Sequence, residues 1–248
     1  MSIKGKVAVL TGGGSGMGQA TCVQLARDGA EVAVWDLNER GAQDTLDMIA
    51  KEGNKAIAVK VDVSSKESVA AATARTRKEL GPITILVNNA GISGNVQFLD
   101  VTEEYWDRMF AINLKGPFFC TQAIIPDMLA AKWGRIVNVT SSSTQVGASK
   151  MSAYVSSKGG LAGFTKALAM EFAREGITTN SVPPNFIDTP MLREHFDEEF
   201  ITSRAKTTVM GHPGSVWDIA AAISYLCSVA AKHINGHTLS VNGGNYMS

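Results

Sequence analysis

The sequence has no excess of charge of either sign, few cysteines and no long apolar run, and each shortage removes a class of function. Its 23 basic residues are matched by 23 acidic ones, for a formal net charge of +0. No single-sign field exists to draw the chain to nucleic acid or to an anionic membrane. Cysteine occurs 3 times, as Cys22, Cys120 and Cys227. That number is odd and the spacing suits neither a redox pair nor a metal site, so the thiols read as small buried hydrophobes in helices. Of the 4 histidines (195, 212, 233 and 237), His233 and His237 are separated by Asn235-Gly236, which argues against a shared helical face. No metal is expected. The opening MSIKGKVAVLTGG holds an apolar run too short to span a membrane, with no small-residue cleavage site after it. A cytoplasmic protein without nucleic-acid or membrane partners is expected.

What is present is an alternation. Short, β-branched, mostly continuous apolar runs fall at Val7–Leu10, Val32–Trp35, Ala56–Val61, Ile83–Val87, Ile136–Val139, Thr178–Val182 and Thr238–Val241. Such runs suit parallel strands covered on both faces. Helical patterns lie between them, at about Gly18–Asp28, Glu39–Lys51, Lys66–Leu80, Glu103–Ala131, Ala153–Arg174 and Ser215–Val229. Each parallel crossover needs a helix, so the alternation predicts an α/β fold: a doubly wound parallel sheet of about seven strands. No linker or repeat divides residues 1–248, and one domain is expected. At this length, folding buries ~70–75% of the unfolded surface without disulfide or metal. Asn113, Gly116, Pro117 and Pro126 predict a break in the long segment Glu103–Ala131. Asp188 to Gly214 interrupts the alternation with mixed charges and apolar anchors (Met191, Leu192, Phe196, Phe200, Ile201, Met210), which suggests a lid over a substrate pocket.

The first strand runs into Thr11-Gly12-Gly13-Gly14-Ser15-Gly16-Met17-Gly18 and then a helix. Strand, glycine turn and helix N-terminus together make a pyrophosphate cradle, in which Gly12, Ser15, Gly16, Met17 and Gly18 face the cofactor. The spacing differs from G-x-G-x-x-G, and the Gly-Lys-Ser/Thr ending of nucleoside triphosphatases is missing. The second strand ends in Asp36, 18 residues after Gly18, with Leu37 beside it. A carboxylate there accepts from both adenosine ribose hydroxyls and repels a 2′-phosphate, and no Arg or Lys stands in Trp35-Asp36-Leu37-Asn38 to offset it. NAD is the cofactor expected. Asp62-Val63 ends the third strand, placed to receive the adenine amino group. Asn88-Asn89-Ala90-Gly91 ends the fourth, at the sheet edge where such folds bind ligands.

Tyr154 and Lys158 are four apart at the start of a helical pattern, hence on one face with Cβ atoms ~5–6 Å apart. An ammonium beside a phenol favours the phenolate. Bringing a phenol from ~10 down by about three units asks for ~4 kcal/mol. The tyrosinate would take the proton of an alcohol as hydride leaves, or return it in reduction. Ser141, 13 residues earlier at the end of the fifth strand run, has a hydroxyl placed to bond the substrate oxygen, with Ser142 and Ser143 as neighbours of the same chemistry.

The chain resembles the short-chain dehydrogenase/reductase family over essentially its whole length. The resemblance rests on Thr11–Gly18, Asn88–Gly91, Asn113, Ser141 and the Tyr154/Lys158 pair. It implies a Rossmann-like fold with Tyr154 as acid/base and Ser141 polarising the carbonyl. Lys158 would hold the nicotinamide ribose while lowering the Tyr154 pKa, and Asn113 would hold a water linking Lys158 to solvent. Pro184, Ile187 and Thr189 match positions around the nicotinamide. Asn185 stands where the family usually has glycine, a substitution the turn tolerates because Asn accepts positive φ. Asn242 stands where aspartate is common. The resemblance also implies a homotetramer or dimer joined through the helices bearing Phe118 and Phe164.

The expectation is therefore an oxidoreductase moving hydride between NAD(H) and a secondary alcohol or ketone, neutral and fairly bulky in view of the apolar lid. One alternative is a 3-oxoacyl-carrier-protein reductase, against which Asp36 and the sparse basic charge of Ala130-Ala131-Lys132 speak. A non-catalytic dinucleotide sensor is the other; it would have no chemical need of Asn113, Ser141, Tyr154 and Lys158 together.

Overall fold

Alternate residues of the apolar runs are buried on opposite sides of one sheet. The computed structural model describes residues 3–195 and 197–247, the side chains of Met191 and His195 excepted. Its strands are β1 (Val7–Thr11), β2 (Glu31–Asp36), β3 (Ala56–Lys60), β4 (Ile83–Asn88), β5 (Gly134–Val139) and β6 (Ile177–Val182). They pair in the order β3-β2-β1-β4-β5-β6, and every pairing is parallel. Ala8, Leu10, Val32, Val34, Ile85, Val87, Val137 and Val139 face one core, and Val7, Val9, Ala33, Trp35, Leu86 and Ile136 face the other. The period of two, with both faces covered, is why these strands read as unbroken apolar runs.

Helices α1 (Gly16–Arg27), α2 (Glu39–Lys51), α3 (Lys66–Leu80), α4 (Glu103–Phe110), α5 (Gly116–Ala131), α6 (Ser143–Val146), α7 (Ser152–Phe172), α8 (Pro190–His195), α9 (Glu198–Lys206) and α10 (Val216–Cys227) complete the chain. The predicted break in the long segment falls at Ala111–Lys115, a π-helical turn between α4 and α5, with Pro117 in the first turn of α5. Asn38, Ser65, Thr102, Asp197 and Ser215 accept a backbone N–H through their side chains and so start α2, α3, α4, α9 and α10. All three cysteines are buried and free, and burial pushes the Cys120 and Cys227 thiols up to about 12.

The seventh strand is a correction. Thr238–Val241 meets β6 only through isolated parallel bridges, Ser181 to Thr238 and Pro184 to Val241. Ser181 N donates to His237 O and Leu239 N to Ser181 O, both at 2.9 Å. Beyond them Pro183 and Pro184 have no N–H to continue the ladder. Between β6 and α10, the expected lid carries α8 and α9, and a bridge from Ile187 to Gly214 ties its two ends. The lid's apolar residues do not form one inward stripe: Ile201 is buried, Phe200 and Met210 are exposed, and Leu192 faces the cavity described below. Phe196 and the Met191 side chain lie outside the described residues. No helix among the described residues is long and apolar enough to cross a membrane.

Candidate active site

The strand order reverses between β1 and β4, and this is where parallel sheets open a crevice at their carboxyl edge. Thr11 and Asn88 are in register there. The Thr11 hydroxyl accepts from the amides of Asn89 (3.1 Å) and Ala90 (3.0 Å), and Asn89 Nδ2 donates to the main-chain oxygens of Thr11 and Gly12 at 3.0 Å. The glycine turn and the turn after β4 are thus stitched into one floor. Two glycines are required by contact: Gly12 has φ +68° with Ala90 against it, and any Cβ on Gly18 would collide with the Gly12 carbonyl oxygen. Helix α1 begins on this floor without a side-chain cap from Ser15 and with no acid in its first turn. Its first N–H groups lack the partners that α2, α3 and α4 possess, which fits an anion.

The floor opens into a cavity of about 750 Å³. Gly12, Ser15, Gly16, Met17, Gly18, Asp36, Asn89, Ala90 and Gly91 line it, as do Ser141, Tyr154, Lys158, Pro184, Ile187 and Thr189. The Asp36 carboxylate accepts from Gly14 N and Asn38 N, each at 2.8 Å, and so stands fixed between the glycine turn and α2. Three expected positions are not brought to the wall. Leu37 is exposed, Val63 is buried in the core, and Asp62 closes a local turn by accepting from Ser64 N (2.9 Å) and Ser64 Oγ (2.6 Å).

Helix α7 presents Tyr154 and Lys158 to the cavity, and the loop after β5 presents Ser141. Burial raises the Tyr154 pKa above its ordinary value, and a hydrogen bond with Ser141 pulls it back only in part. Ser141 Oγ also lies 2.8 Å from Ser143 Oγ and accepts from Ser143 N at 3.2 Å. Lys158 is 4% exposed, and burial lowers its pKa to about 8. Its ammonium donates to Val139 O at 2.8 Å. This bond anchors the ammonium to the main chain without neutralising its charge.

Asn113, fully buried in the π-helical turn, does not reach the cavity wall. Its Oδ1 accepts from Ile92 N, and its Nδ2 donates to Ile92 O (both 2.9 Å) and to Ser157 Oγ (3.1 Å). The side chain joins the loop after β4 to α7 and has no amide hydrogen left for a water. Gly91 admits this junction: its missing Cβ would meet Asn113 Oδ1 at 3.0 Å and Lys158 Nζ at 3.2 Å. Asn185 lines the cavity without positive φ, so the family glycine is replaced with no backbone strain. Asn242 accepts from Gly244 N and donates to Tyr246 O, a local turn. Sequence reasoning missed Val139, Ser157, Ser93, Asn95, Met151 and Phe186. Val139 acts through its backbone and leaves no side-chain signal, whereas Ser157 adjoins Lys158 in a motif already singled out. Among the described residues, no group of three His, Cys, Asp or Glu could hold a metal ion.

Residues 6–199 match the model of the short chain dehydrogenases. The chain belongs to the short-chain dehydrogenase/reductase family. It is 37% identical to the 3-oxoacyl-(acyl-carrier-protein) reductase FabG of Pseudomonas aeruginosa, with 100% of both chains covered. It is also 37% identical to the (2S)-((R)-hydroxy(phenyl)methyl)succinyl-CoA dehydrogenase subunit BbsD of Thauera aromatica, over 98% of each. The crystal structure of a Sinorhizobium meliloti 1021 protein described as a short-chain alcohol dehydrogenase superimposes with a TM-score of 0.93 at 38% identity, covering 98% of this chain and 97% of that one. This short-chain dehydrogenase/reductase is thus an oxidoreductase whose family binds a nicotinamide dinucleotide, and the glycine floor and uncapped α1 fit that group.

Proposed function

We propose that the protein transfers a hydride between NAD(H) and a secondary alcohol or its ketone, with Tyr154 as the acid/base. The observation that carries the reading is the convergence on one cavity of the fixed Asp36 carboxylate and glycine turn with Ser141, Tyr154 and Lys158. The glycine turn, the N-terminus of α1 and Asp36 would hold the dinucleotide, with Pro184, Ile187 and Thr189 around its nicotinamide. Bound there, the cofactor supplies or accepts the hydride, and its oxidised ring adds the positive charge that a phenolate needs. Tyr154 Oη takes the alcohol proton, and Ser141 Oγ bonds the substrate oxygen. Lys158, anchored by Val139, keeps a cation beside the ribose position. Asn113 fixes the loop and helix that carry these groups.

Specificity for 3-oxoacyl thioesters is the second reading, favoured by the names of the relatives. A homotetramer is part of the proposal; Met170 on α7 is 85% exposed and Phe118 on α5 is exposed, as an association surface requires. Turnover of a panel of secondary alcohols and oxo esters, with NAD and NADP in parallel, tests the reading. Absence of all turnover while dinucleotide still binds overturns it in favour of a sensor, and a monomeric mass by light scattering overturns the assembly.

A further inference from the structure

Asn185 lines the cavity, and the chemistry above leaves it unused. It follows Pro184 at the end of β6 and lines the same cavity as Ser141 and Tyr154. Its Oδ1 accepts from Ser142 Oγ at 3.1 Å, and Ser142 N donates to Pro184 O at 3.0 Å. Two bonds therefore join the loop after β5 to the loop after β6, one residue from Ser141. With Oδ1 engaged by Ser142, both hydrogens of Nδ2 remain; among the described residues no bond is made by them. Met151, Phe186, Ile187 and Leu192 add apolar surface to the cavity wall. A substrate that is hydrocarbon around its carbinol carbon would strip water from this amide and return nothing.

We propose that Asn185 is a specificity-determining residue whose amide donates to a second oxygen of the substrate, carried close to the reacting carbon, so that the enzyme favours hydroxy or oxo compounds with a neighbouring carbonyl over plain secondary alcohols and ketones. Ser142 is its positioning residue, holding the amide by a hydrogen bond at 3.1 Å. The inference rests on the proposed hydride transfer and adds a substrate class to it. A site that donates to a substrate oxygen discriminates strongly against the analogue lacking it, because the donor is then left unpaired.

The test compares reduction of ethyl 3-oxobutanoate with that of 2-octanone, which has the same number of heavy atoms, following the nicotinamide absorbance. Wild type is expected to favour the oxo ester. Asn185→Ala is expected to reduce the ratio of the two kcat/KM values by about tenfold, mostly through KM for the oxo ester. Asn185→Asp keeps the acceptor for Ser142 and removes the donor, so it should lower the ratio at least as far, and Ser142→Ala should lower it in the same direction. The ratio is internal to each variant, so a general loss of active enzyme does not move it, and NADH binding by fluorescence verifies the folded site. A fall of threefold or more in both Asn185 variants supports the inference. A smaller fall, or a wild type that prefers 2-octanone, overturns it while hydride transfer stands. A wild type that reduces no carbonyl compound overturns hydride transfer and the inference together.

Discussion

The Lys158 ammonium donates to the carbonyl oxygen of Val139 at 2.8 Å, inside a site where the lysine is 4% exposed. A buried ammonium with one neutral acceptor is held against its solvation, which is why its pKa falls from 10.5 to about 8. The consequence for stability has a definite sign. Between pH 8 and 10.5 the unfolded chain keeps the proton that the folded chain has lost, so the lysine makes stability rise with pH across that window; below it the cost of burying the charge is present in full. We predict that, without cofactor, wild type gains up to about 3 kcal/mol relative to Lys158→Met between pH 7 and pH 10.5. Denaturant unfolding of both proteins at the two pH values measures it. A difference independent of pH would show that Lys158 titrates normally.

Burial gives Tyr154 a raised pKa, which its hydrogen bond with Ser141 offsets only in part. A neutral phenol has a proton to give and no basicity to take one, so its role as base in the proposed oxidation needs a positive charge nearby to favour the phenolate. Tyr154→Phe is therefore predicted to lower kcat by ~10²–10⁴-fold in oxidation and reduction alike, with little change in the affinity for dinucleotide. Steady-state kinetics together with fluorescence titration of NADH decide this. Weakened binding that accounts for the lost rate would make Tyr154 a binding residue only.

Much of this arrangement was legible beforehand, for a local reason. Runs such as Val32–Trp35 and Ile83–Val87 are apolar without interruption because both sheet faces are covered, and the glycine turn is written in residues that must lack a Cβ. Thr238–Val241 misled because its composition is that of a strand, whereas its pairing depends on Pro183 and Pro184 in another segment. Asp62 shows what a pattern leaves out: Ser64, two residues on, engages one oxygen of a carboxylate that a strand-end position alone reads as a free ligand. The partners of Asn113 and Lys158 lie in Ile92, Ser157 and Val139, two of them through main-chain atoms, and no pattern of side chains announces a main-chain partner.

Asn113 gives a prediction that separates architecture from proton transfer. Replacing it by Ala leaves the half-buried N–H and C=O of Ile92 short of a partner and removes a bond to the Ser157 hydroxyl, which keeps its bond to Tyr154 O. Each such group costs ~1–3 kcal/mol, and the loss of unfolding free energy is expected to be about 2–4 kcal/mol. Asn113→Asp keeps the acceptor for Ile92 N and loses the donor, so it should be intermediate in stability. Thermal or denaturant unfolding reads the order. Wild-type stability in Asn113→Ala would mean that the π-helical turn holds its shape by backbone bonds alone.

The proposed preference for NAD over NADP rests on Asp36. Its two oxygens receive Gly14 N and Asn38 N, and the negative charge is thereby held at the cavity edge beside the glycine turn. A 2′-phosphate brought there meets like charge, while ribose hydroxyls meet an acceptor. Asp36→Ala removes both effects at once and should reduce the ratio of kcat/KM with NADH to that with NADPH by at least about tenfold, ~1.4 kcal/mol. Asp36→Asn keeps the shape and an acceptor and removes only the charge. If repulsion dominates, it should move the ratio nearly as far as Asp36→Ala; if hydroxyl acceptance dominates, it should stay near wild type. Wild-type preference for NADPH would remove the role given to Asp36, and with it the ground on which NAD is proposed over NADP.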